Sequence, residues 1–130
     1  NQQAAKIMIP NGKGKILNLA SMSGVVVTGD EGSSYAAVKA AVIHLTKALA
    51  TEWIGKGVYV NALSPATVQT PLTEGFLKIP GVEESIAKDI PLGRLAYPAD
   101  MVGPAIFLLS KASDYVVGHN LIVDGGYTLR

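Results

Sequence analysis

Three short apolar runs constrain this chain more than anything else in it: KILNLA at 15–20, VYVNAL at 58–63 and NLIV at 120–123. None alternates apolar with polar residues as a half-wet strand does, so each reads as a strand buried on both sides. Helix-period stretches separate them. The longest covers about 34–54, with Ala37, Ala41, Leu45 and Leu49 in one stripe, widened by Val38, Val42 and Ala48. Gly55 and Gly57 stop it. Another opens with Pro98 in its first turn and continues over 99–109 despite Pro104. Residues 2–9 read as the last turns of a helix stopped by Pro10. Between 67 and 93, Pro71, Pro80 and Pro91 break a polar stretch into loop and one or two short helices. The order α-β-α-β-α-β predicts α/β architecture, a doubly wound parallel sheet with helices on both faces.

Three strands are too few for a complete sheet of that kind. Such sheets open with a strand, a Gly-rich turn and a helix that accepts a pyrophosphate. No G-x-G-x-x-G or P-loop pattern occurs here, and Gly12-Lys13-Gly14 precedes a strand instead of following one. The chain starts in helix-like sequence without Met, so it reads as entered partway. Residues 1–130 are expected to be the C-terminal part of a single domain.

Composition removes several classes of function. A net charge of +1 with no basic stripe argues against nucleic acid as a partner. No apolar run approaches the ~20 residues that span a bilayer, so no membrane partner is expected. Zero Cys excludes disulfides and thiolate–metal sites and fits a reducing, cytoplasmic setting. His44 and His119 are far apart in sequence, so no metal site is expected.

The chemistry-bearing pattern is Tyr35-Ala36-Ala37-Val38-Lys39, with Ser21 fourteen residues before Tyr35 at a strand end. A phenol and an amine four residues apart share one helix face. An ammonium within several Å favours phenolate over phenol. A serine hydroxyl beside such a pair can hold a carbonyl oxygen while the phenol delivers a proton to it. This pattern suits an oxidoreductase better than a hydrolase. Taken alone, Tyr35 and Lys39 are more readily a solvated helix pair, and Ser21 a turn hydroxyl.

In that order and spacing the residues resemble the short-chain dehydrogenase/reductase family over essentially the whole chain. Asn18-Leu19-Ala20-Ser21 is similar to the strand ending in the catalytic serine, and Tyr35-x-x-x-Lys39 to the active-site helix. Asn61-Ala62-Leu63-Ser64-Pro65, followed by Val68-x-Thr70, is similar to the stretch beside the nicotinamide. Gly118 and Asp124-Gly125-Gly126 are similar to the last strand and its exit. The resemblance implies a Rossmann-like fold, present here as its C-terminal half without the cofactor-binding N-terminal half. It implies Ser21, Tyr35 and Lys39 as catalytic residues. Tyr35, Lys39, Pro65, Ala66, Val68 and Thr70 are the implied contacts of NADP or NAD, with NADP favoured. A small-molecule carbonyl or alcohol substrate, a mobile lid at 72–93 and a homotetramer are also implied. Ala20-Ser21-Met22-Ser23-Gly24 and His44-Leu45-Thr46-Lys47 resemble the branch of sorbose reductases and mannitol or gluconate dehydrogenases.

Two departures stand out. Ala66 occupies a position where the family usually has Gly, costing roughly 1 kcal/mol if positive φ is required. The Ser-to-Tyr spacing is one residue longer than usual, which leaves Ser23 as an alternative to Ser21. Asp30 and Glu31 are candidates to touch a polar substrate, although a solvated loop accounts for them more simply. His44 and Trp53 are expected in packing or subunit contacts, and Tyr97, Tyr115 and Tyr127 in structural roles. The competing functions are a 3-oxoacyl-carrier-protein-type reductase and a non-catalytic binding or assembly protein of the same fold.

Overall fold

The computed structural model describes residues 1–27 and 32–129. Strands β1 (Gly14–Leu19), β2 (Val58–Pro65) and β3 (Asn120–Val123) form one parallel sheet in that order. The register pairs Gly14 with Val58 through Leu19 with Leu63, and Ala62 with Asn120 through Pro65 with Val123. Parallel neighbours need long crossovers. The first is carried by α2 (Ser33–Trp53) and the second by α3 (Glu74–Leu77), α4 (Val82–Asp89) and α5 (Pro98–Leu109). Helix α1 (Gln2–Met8) precedes β1.

Both faces of the sheet are covered, as the apolar strands require. On one side Ala5, Ala50, Trp53, Val58 and Val60 form a buried cluster with Ile16 packed against it. On the other, Leu108 of α5 is fully buried. Lys15, the neighbour of Ile16 along β1, reaches that second side. Its ammonium donates to Ser113 Oγ at 2.8 Å and pairs with Asp114 at 2.8 Å. The central strand β2 is the driest element, with Val58, Val60 and Ala62 wholly buried.

Helix α2 corrects the expected stripe. Its core-facing residues are Thr46, Ala50 and Trp53, with Ala36, Lys39, Val42, Ile43 and Leu49 half-buried. Ala37, Ala41, Leu45 and Ala48 are exposed instead. This helix is apolar nearly all round, so periodicity alone does not select the inner face. A polar contact does: Thr46 Oγ1 accepts from Asn18 Nδ2 at 2.9 Å and donates to the Val42 carbonyl at 2.8 Å, seating that side on β1. The helix gives way to a 3₁₀ turn at Ile54–Lys56, and Gly57 follows with φ of 75°. Gly57 lies against Gly12, and its carbonyl accepts the Gly14 N–H at 3.1 Å, which starts the β1–β2 register.

Among the described residues, no helix is long and apolar enough to cross a membrane. Where one or two short helices are expected between 67 and 93, there are two, α3 and α4. Strand β2 runs two residues further than expected, to Pro65, and carries the chain to the edge of the site.

Candidate active site

Three segments meet at the C-terminal ends of the strands. Beyond β1 the chain turns through Ser21 into a 3₁₀ turn at Met22–Gly24. Ser21 caps that turn: its Oγ accepts the Ser23 N–H at 3.2 Å and donates to Ser23 Oγ at 3.2 Å. The first turns of α2 present Tyr35, which is 46% exposed, and Lys39. The Lys39 ammonium lies 5.6 Å from the Tyr35 ring centroid and donates to the Leu19 carbonyl at 3.2 Å. Lys39 thus ties the phenol-bearing helix to the end of β1.

The facing wall follows β2. Ala66 N–H donates to the Val123 carbonyl at 3.3 Å. Val68 forms an isolated parallel bridge with Ala96. There Gln69 N–H donates to the Ala96 carbonyl at 2.9 Å, and Ala96 N–H to the Thr67 carbonyl at 3.1 Å. Among the described residues only glycines have positive φ, so Ala66 sits in ordinary backbone and the anticipated strain does not arise.

A cavity of about 650 Å³ lies between the walls. Ser21, Tyr35, Lys39, Pro65, Ala66, Val68 and Thr70 all line it. Ser23 is buried and does not. Leu72, Phe76 and Met101 add apolar surface, and Thr73 also lines it. Asp30 and Glu31 lie outside the described residues. His44 is exposed on α2 away from the cavity, Trp53 is in the core, and Tyr97 precedes α5. No group of three or more metal-ligating side chains comes together among the described residues.

Three features of the site were missing from the sequence reading. Gly24 is one: a Cβ there would lie 2.6 Å from the Lys39 carbonyl carbon and 2.8 Å from the Ala40 nitrogen. The serine turn therefore rests on the backbone of α2, and a side chain would lift it. Another is the Arg94–Asp100 pair beneath the site, where Nη1 and Nη2 reach the two carboxylate oxygens at 2.8 and 3.0 Å. Asp100 also accepts the Tyr97 N–H at 2.7 Å. The Arg94 hydrogen bond and then the Tyr97 N–H hold this carboxyl at about 2, below its ordinary 3.8. An acid three residues after Tyr97, with Pro98 between, was the available signal. Thr73 is the third, its hydroxyl bonding the Val68 carbonyl and the Thr70 N–H. Near Arg94, burial pushes the Asp124 carboxyl up, but hydrogen bonds from Thr128 and Gly126 outweigh it and the net shift is downward.

A parallel α/β sheet with a cavity at the C-terminal ends of its strands describes a Rossmann-like fold. The sequence matches the family described as enoyl-(acyl carrier protein) reductase over residues 1–128, and the chain belongs to the short-chain dehydrogenase/reductase family. It is similar to galactitol 2-dehydrogenase (L-tagatose-forming) of Cereibacter sphaeroides, at 46% identity over 125 residues, covering 95% of this chain and 49% of that protein. NAD-dependent glycerol dehydrogenase of Listeria innocua is 43% identical over 124 residues, covering 95% of this chain and 48% of that protein. The crystal structure of a gluconate 5-dehydrogenase from Burkholderia cenocepacia in complex with NADP and tartrate superposes with a TM-score of 0.93 at 36% identity, covering 99% of this chain and 50% of that one. The chain spans about half the length of the relatives it matches.

Proposed function

We propose that these residues are the C-terminal half of an NAD(P)(H)-dependent oxidoreductase that interconverts a ketone or ketose with a secondary alcohol or polyol. The observation that carries the reading is the shared cavity. Ser21, Tyr35 and Lys39 stand on one wall, and Pro65, Ala66, Val68 and Thr70 on the other. Relatives named for galactitol, glycerol and gluconate support a hydroxylated substrate. NADP stands in the names of four similar structures and NAD in that of the glycerol dehydrogenase relative, and NADP remains the favoured cofactor.

The residues present fit the nicotinamide end of such a nucleotide. A cavity of about 650 Å³ is of the size that encloses a small ligand. Lys39 offers an ammonium that can hold ribose hydroxyls, and Thr70 a hydroxyl for a phosphate oxygen. The nucleotide, when bound, supplies or takes up a hydride. The steps at the substrate oxygen fall to residues of this chain. Ser21 turns its O–H from Ser23 to the substrate oxygen and fixes its direction. Tyr35 gives its proton to that oxygen in reduction and takes it back in oxidation. The Lys39 ammonium beside the ring favours the anionic phenol left after transfer. Hydride and proton together convert C=O into CH–OH.

Strand β1 is an edge of the sheet among the described residues, and Leu19 at its end is exposed. An upstream half pairing along that edge would bring the Gly-rich turn that this sequence lacks. The outward face of α2 supports a homotetramer, because Ala40 and Ala41 there permit close helix approach. Absence of Cys supports a reducing, cytoplasmic setting. A second reading, reduction of an acyl-carrier-bound ketone, draws on the acyl carrier in the family's description, though that description names an enoyl C=C as the reduced bond, and on the apolar Leu72 and Phe76 of the cavity wall.

The test is a panel of ketoses, polyols and a 3-oxoacyl thioester, assayed with NADPH and NADH on the full-length polypeptide. Turnover of a ketose or polyol, lowered at least about 100-fold by Tyr35→Phe, is expected. Unchanged turnover in that variant removes Tyr35 from the chemistry, and activity confined to the thioester selects the second reading.

A further inference from the structure

We propose that Thr73 is the positioning residue of the cofactor-side loop, holding Val68 and Thr70 in place through its hydroxyl. The inference rests on the reading of the site given above. Thr73 stands at the N-cap of α3, where a threonine ordinarily bonds the first amides of its helix. Here its side chain makes no cap bond. The hydroxyl turns back into the loop: Oγ1 accepts the Thr70 N–H at 2.9 Å and lies 2.7 Å from the Val68 carbonyl and 3.0 Å from the Thr70 carbonyl.

A hydroxyl has one proton and two lone pairs. The proton goes to a carbonyl, with Val68 at the shorter distance. One lone pair takes the Thr70 N–H. The other faces Thr70 Oγ1 at 3.3 Å. One side chain therefore closes the loop from Val68 to Thr73. The opposite side of the same loop is tied at Thr67 and Gln69 to Ala96. Pro71 fixes φ between the two. Backbone bonds hold Thr67 and Gln69 to Ala96, and the Thr73 and Glu74 N–H groups each reach the Thr70 carbonyl at 3.0 Å; the Thr73 hydroxyl adds the bonds that fix the Val68 carbonyl and the Thr70 N–H within that frame.

Thr73→Val keeps the shape and removes the hydroxyl, leaving the Thr70 N–H and the Val68 carbonyl without that partner. Thr73→Ser keeps the hydroxyl and loses a methyl. In the full-length protein, Thr73→Val is expected to raise the dissociation constant and the KM for NADPH or NADH about tenfold. The substrate KM and kcat at saturating nucleotide should stay near wild type, with the melting temperature lowered by no more than the few degrees that the lost hydrogen bonds account for. Thr73→Ser should bind nucleotide as wild type does. A merely structural role would lower the melting temperature and leave this split between nucleotide and substrate unmoved. Wild-type nucleotide binding in Thr73→Val overturns the proposal, as does equal weakening in Thr73→Ser. Should the Val variant not fold, the Ser variant decides on the same criterion. A wild-type protein that binds neither nucleotide overturns the reading of the whole site, an outcome distinct from a Thr73→Val variant that binds as tightly as wild type.

Discussion

Gly24 lies where the turn carrying Ser21 meets the helix carrying Tyr35 and Lys39. The geometry allows no Cβ, because its nearest neighbours are backbone atoms of Lys39 and Ala40 that cannot swing aside. Gly24→Ala is expected to push the turn off α2 and move Ser21 relative to Tyr35. The cost should be roughly 1–3 kcal/mol of stability, as for other overpacked contacts, with a larger loss in kcat than in nucleotide affinity. Thermal unfolding and steady-state kinetics on one preparation check this, and unchanged kcat would separate the turn from catalysis. Ser21, Tyr35 and Lys39 were legible as a set because Tyr35 and Lys39 are one helical turn apart and Ser21 follows a plain apolar strand. Gly24 and Thr73 were not legible. Nothing local marks a glycine pressed on a helix 15 residues later, or a threonine whose hydroxyl turns away from its own helix.

At the scale of the element, the entry to α5 governs one wall of the cavity, since Pro98 and Met101 both line it. Asp100 holds that entry by accepting from Arg94 and from the Tyr97 N–H. Its carboxyl titrates at about 2 in the folded chain, below its ordinary 3.8. A depressed folded value stabilises the protein above the ordinary carboxylate range, and that contribution fades as pH falls through about 2. Asp100→Asn should therefore unfold at a lower temperature than wild type near neutrality. The gap should narrow between about pH 4 and pH 2. Melting curves across that range check the sign, and a gap constant with pH would assign the effect to packing instead. Helix α2 makes the complementary point: its extent was legible from periodicity, but its inner face was not, because Thr46 and Asn18 set the rotation.

For the whole molecule, the apolar residues left outside are as informative as those inside. Val38 is 59% and Leu45 47% exposed on the outer face of α2, beside the small Ala41. Such a face suits helix-on-helix contact between copies. Leu45→Glu is expected to split the proposed tetramer into smaller species by sedimentation velocity while the circular dichroism spectrum is retained. An intact tetramer would place the contact elsewhere. The three strands, their parallel arrangement and the α/β class followed from the chain alone, because buried parallel strands and long crossovers leave a strong local signature in apolar runs and their spacing. Which hydroxyl reaches the cavity, which side of α2 meets the sheet and what holds residues 66–73 were decided by folding. Those outcomes depend on pairings between residues distant in the sequence, such as Asn18 with Thr46 and Ala96 with Val68, and no local pattern encodes such pairs.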